Sequence, residues 1–168
     1  MNISMYQASI PVLTKILANL AGILEKAEAH AANKKIDPAV FVQARLYPDM
    51  YPLARQIQIA TDVAKGCAAR LSGQTPPVYE DNETTFAELQ ARIAKTIAFL
   101  KTFTPEQIDG TEEATITLKT GGREKSFKGL PYLLEFVLPN VYFHTTTTYA
   151  ILRHGGVELG KADFQGSH

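Results

Sequence analysis

Apolar residues along the first part of the chain recur at intervals of three and four. Ile10, Leu13, Leu17, Leu20, Leu24 and Ala27 fall on one stripe, which predicts a long amphipathic helix from about Ser4 to Ala32. Pro11 fits within it if the helix kinks or properly begins there. Asp37 followed by Pro38 is a start signal, an N-cap acid ahead of a proline at the first helical position. A second helix is therefore expected from Asp37 to about Leu71, stopped by Ser72-Gly73 and bent near residues 47–53 by Pro48 and Pro52. Residues 74–82, with Pro76 and Pro77, read as a loop. Thr85 and Glu88 then offer a capping box for a third helix, whose Phe86, Leu89, Ile93, Ile97 and Leu100 form its stripe up to about Phe103.

The period then changes to two. Residues 114–120 alternate, Gly121-Gly122 turns, and residues 123–127 return, so a β-hairpin is expected. An isolated hairpin is marginally stable and must lie against the helices. A fourth helix opens at Gly129-Leu130-Pro131 and runs to about Arg153, ahead of Gly155-Gly156. The tail, residues 157–164, is expected to be an extended strap. These elements predict a single domain over residues 1–168: an all-α four-helix bundle with a β-hairpin inserted before the last helix.

Composition narrows the partners. The 17 Lys and Arg balance 17 Asp and Glu, so no basic field exists to gather phosphates and a nucleic-acid partner is disfavoured. The N-terminus lacks a basic leader, and no uninterrupted apolar run approaches the roughly 18 residues of a membrane span. The expectation is a cytoplasmic protein with no membrane partner. The single cysteine, Cys67, excludes an internal disulfide and suits a packed core thiol.

The chemistry-bearing positions lie on the second and fourth helices. Asn140 and His144 are four apart and so share a face. His144 stands among Tyr142, Phe143 and Tyr149, where a hydrogen-bonded interior imidazole is the plain alternative to a ligand. Asn140 follows Pro139 and can bond backbone groups that the proline frees. Asp49, four residues after Arg45, can form an intrahelical ion pair. On a continuous second helix it also shares a face with Gln56, seven residues on. The run Thr145–Thr148 can bond back to carbonyls one turn earlier. His154 suits the C-terminal end of its helix dipole, while His30 and His168 are poorly placed as ligands. The tyrosines Tyr47, Tyr51, Tyr132, Tyr142 and Tyr149 cluster around the two proline-bearing helices and could line a pocket or an interface.

Two segments carry a resemblance. Arg45-Leu-Tyr-Pro-Asp-Met-Tyr-Pro-Leu-Ala-Arg-Gln56 and Tyr142-Phe-His-Thr-Thr-Thr-Thr-Tyr149, with the ending Leu152 to Phe164, resemble a bacterial family within the DinB/YfiT-like metalloenzyme superfamily. The resemblance implies a four-helix bundle in which three histidines hold a divalent metal, one from the second helix and two from an HxxxH on the last. Some relatives are thiol-dependent transferases or isomerases. Carried over, His144 matches the second histidine of HxxxH and Asn140 stands at the first. The second-helix position has no histidine, and Gln56 and Asp49 are its nearest polar residues. Harder ions favour oxygen ligands, so His144, Asn140, Asp49 and Gln56 would suit a weakly held magnesium- or manganese-like ion. The implied function is a pocket between the second and fourth helices that binds a small molecule, with a weak or lost metal site supporting transfer or hydrolysis. The alternative is a non-catalytic binding module, pairing as a homodimer.

Overall fold

A computed structural model describes residues 3–166; His168 lies outside the described residues. Helix α1 runs over Met5–Lys34, and its start is fixed by a reciprocal cap. Ser4 Oγ accepts from the Gln7 amide and Gln7 Oε1 accepts from the Ser4 amide. The helix passes through Pro11 without ending there. By length and composition alone α1 could cross a membrane. Its stripe Leu13, Leu17, Leu20, Ile23 and Leu24 is instead buried inside the bundle, the use a core helix makes of such residues.

The expected second helix is two helices. After α2 (Pro38–Val42) the chain leaves helical geometry for residues 43–52 and resumes as α3 (Leu53–Leu71). Pro48 and Pro52 each remove a backbone donor and crowd the carbonyl four residues earlier, and together they break the helix where a bend was expected. Arg45 stabilises the excursion by donating to the carbonyls of Pro48 and Met50. Helix α4 (Phe86–Leu100) begins at the Thr85–Glu88 capping box and buries Phe86, Leu89, Ile93 and Leu100. A short α5 (Pro105–Ile108), absent from the sequence reading, is tied to α1 by Asp109, which accepts from the Tyr6 amide at 2.7 Å.

Strands β1 (Thr115–Thr120) and β2 (Arg123–Lys128) pair antiparallel, Ile116 opposite Phe127 and Leu118 opposite Lys125. Gly121 and Gly122 both take positive φ, the requirement of a two-residue hairpin turn. The expected fourth helix is one rod with an interruption: α6 (Gly129–Pro131), a π-helical segment (Tyr132–Val137) and α7 (Leu138–His154). The tail folds as α8 (Lys161–Gln165) rather than as an extended strap. Asp163 caps it by accepting from the Gly160 amide, and Lys26 of α1 holds Asp163 at 2.6 Å. Helices α1, α4, α3 and α7 pack in that cyclic order around a common core, with α8 against α1.

One polar side chain fastens the loop between α3 and α4. Arg92 of α4 is only 4% exposed. It donates to Thr61 Oγ1 at 2.8 Å, to the Glu80 carbonyl at 2.9 Å, and to Asp62, Asp81 and Glu83 at 2.8, 3.0 and 2.9 Å. Lys65 also pairs with Asp62. Tyr79 lies under this group with the Lys65 and Lys95 ammoniums each 4.2 Å from its ring centre. Truncation of Arg92 to Ala leaves buried acceptors and neighbouring carboxylates unmatched, so a loss of about 3 kcal/mol is expected in urea unfolding. Arg92→Lys should rescue little of it, because an ammonium cannot span the planar fork of donors. Wild-type stability in either variant would contradict this account.

Candidate functional site

Gln56 and His144 are brought together. Each comes from a core-facing position, on α3 and α7 respectively, and each is buried, Gln56 at 2% and His144 at 8% exposure. Gln56 Nε2 donates to the Tyr51 carbonyl at 3.0 Å, which fixes the amide so that Oε1 faces the imidazole. His144 Nδ1 lies 2.7 Å from that oxygen. An amide oxygen only accepts, so Nδ1 carries the proton and Nε2 the lone pair. Burial, and then the Arg55 guanidinium, push the imidazole below its ordinary value, which keeps it neutral at physiological pH.

The other two candidate residues do not join this pair. Asn140 is half-buried and its Nδ2 donates to the Phe136 carbonyl at 2.7 Å, so its amide serves its own helix. Asp49 lies in the exposed turn between α2 and α3, off any helix face, and the predicted shared face with Gln56 does not exist. The prolines that broke the helix removed it. Arg45 binds backbone carbonyls instead of forming the expected helical ion pair. The threonines behave as their spacing implied: Thr145, Thr147 and Thr148 donate to the carbonyls of Val141, Phe143 and His144. The tyrosines divide, Tyr132 being fully buried while Tyr47 and Tyr51 are exposed. Cys67 is fully buried, and burial pushes its thiol up to about 12, as suits a core residue.

A cleft of about 350 Å³ opens between α3, the π segment and the hairpin. Arg55, Ile59, Asp62, Val63 and Arg70 of α3 form one wall, Phe136 of the π segment another, and Leu118 and Lys119 of β1 the third. Arg55 lines this cleft, and its charge also acts on His144. The π geometry itself marks the place, since single π turns in a helical rod recur at functional sites.

The model of a family described as a domain of unknown function, DUF1993, matches residues 5–165. The chain belongs to the DUF1993 family. It is also similar to a DinB family member protein from Shewanella denitrificans, whose crystal structure was determined at 1.83 Å resolution. The two are 43% identical over 97% of this chain and 92% of that one, with a TM-score of 0.88. No curated protein matches the chain. This DUF1993 protein is therefore a DinB-like helical bundle, as the two sequence segments implied.

The donor set does not fit the metal of that superfamily. Among the described residues no three His, Cys, Asp or Glu side chains converge to hold an ion. At His144 the neighbouring amide oxygen is committed to Nδ1–H, and the Arg55 guanidinium that disfavours the charged imidazole would disfavour a cation there as well.

The sequence reading passed over Arg55, Arg70 and Lys119. A signal was present on α3, because residues 55, 59, 62, 63, 66 and 70 follow helical spacing and share a face. The hairpin's approach to that face had no local signature. The depressed imidazole has a consequence for stability. Below the ordinary imidazole value of about 6.5 the unfolded chain takes up a proton that folded His144 resists, so His144 costs stability as pH falls. His144→Asn keeps a donor for Gln56 and removes the titration. Its melting temperature should decline less steeply than wild type between about pH 7 and about pH 5. Parallel profiles would show that the folded imidazole is not held neutral.

Proposed function

We propose that this DUF1993 protein binds a small organic molecule in the cleft between α3, the π segment and the hairpin, without a resident metal. The observation that carries the reading is the cleft's lining, an apolar wall of Ile59, Val63, Leu118 and Phe136 beside Arg55, Arg70 and Lys119. The apolar Ile59, Val63, Leu118 and Phe136 supply burial, and the charged side chains supply orientation, the usual division of labour in a ligand pocket. The His144–Gln56 pair stands apart from the cleft lining and fixes α3 against α7 behind it.

A second reading, pairing with another copy of the chain, draws on the exposed Tyr47 and Tyr51 before α3 and Phe143 beside His144. Sedimentation at micromolar concentration separates a pairing module from a monomeric binder.

Two measurements test the main reading. Ligand-observed NMR against a fragment library should find molecules that bind wild type and fail on Val63→Trp, which fills the cleft. Hits indifferent to that substitution would place binding elsewhere. Protein purified without chelator or affinity metal should carry far less than one equivalent of divalent metal, both as wild type and as His144→Ala. Near-stoichiometric metal lost in the variant would overturn the metal-free part.

A further inference from the structure

Arg70 is seated in an unusual way. Its Nη1 donates to the hydroxyl of Tyr132 at 3.1 Å, and Tyr132 is fully buried in the π segment. The guanidinium also lies across Gly66, one turn earlier on α3, where an added Cβ would overlap Nη1. Glycine inside a helix costs about 1 kcal/mol relative to alanine. At this position it leaves the room that the guanidinium occupies.

The surrounding charges are otherwise matched. Arg55 pairs with Asp81, Lys65 with Asp62, and Arg92 with Asp62, Asp81 and Glu83. Among the described residues neither Arg70 nor Lys119 has a carboxylate partner. The cleft lining holds Arg55, Arg70 and Lys119 against Asp62 alone, an excess of two positive charges in a chain whose formal net charge is zero. A guanidinium held by one nitrogen keeps its Nε–Nη2 edge for a carboxylate or phosphate, which it binds with two parallel hydrogen bonds.

We infer that the cleft takes a small amphiphilic anion, a carboxylate or phosphate on an apolar body, with Arg70 as its anchor and Lys119 approaching from the hairpin. The apolar body lies against Ile59, Val63 and Phe136. This inference rests on the cleft reading above and adds the class of ligand.

Titrations followed by amide and arginine Nε–H NMR test it with three probes: phenylacetate, phenyl phosphate and the neutral phenylacetamide. Both anions should shift Arg70 Nε–H and the amides of residues 118–121, and phenylacetamide should bind at least about tenfold more weakly, a difference of about 1.4 kcal/mol. The tighter anion identifies the headgroup as carboxylate or phosphate. Arg70→Gln should weaken both anions about tenfold while leaving the spectrum of the fold intact. Gly66→Ala, which favours the helix but displaces the guanidinium, should do the same and provides the test if Arg70→Gln folds poorly. Equal binding of phenylacetamide and the anions at the cleft would overturn the anion assignment and leave the cleft reading standing. Anion binding unchanged in both variants would likewise overturn it. No shift at the cleft from any probe would end both.

Discussion

The arrangement of this bundle depends on one buried guanidinium. Arg92 projects from α4 toward α3 and meets side chains or carbonyls from α3 and from the loop that joins the two helices. A buried arginine is tolerable only when its donors are matched, and here Thr61, Glu80, Asp62, Asp81 and Glu83 match them. The match also constrains the neighbours. Asp62 and Asp81 are drawn toward Arg92, which in turn places Lys65 and Arg55 against them. The charge pattern of the α3 surface is therefore a consequence of how α4 is fastened.

Gln56 and His144 show a different use of burial. Each would be costly alone inside a helical interface, and each satisfies the other. Gln56, at the second-helix position where the resemblance implied a histidine, bonds His144 and so bridges α3 and α7 through an amide and an imidazole.

Much of the architecture was legible in the chain. The stripes on α1 and α4, the Thr85–Glu88 box and the Gly121-Gly122 turn all rest on local rules, and each formed as expected. The failures have separate causes. Asp49 was placed on a helix because periodicity continued through Pro48 and Pro52, but two prolines four residues apart break a helix rather than bend it. The tail became helical because Asp163 could cap it once Lys26 was near, a contact across most of the sequence. The candidate site was half legible: His144 stood out by its spacing from Asn140 and Gln56 through the resemblance, whereas Arg70 matters only through Tyr132 and the hairpin, neither adjacent in sequence.

The π segment over Tyr132–Val137 acts as a phase shift in the last rod. One residue of an α-helix corresponds to a rotation of about 100°, so each extra residue taken up by a wide turn rotates everything beyond it by that amount. The faces of Gly129–Pro131 and of Leu138–His154 are consequently out of step. Tyr132 and Phe136 are turned toward α3 and the hairpin, while His144 still meets Gln56. The rod thus serves two stations at different azimuths, the hydrogen-bonded core pair and the charged cleft.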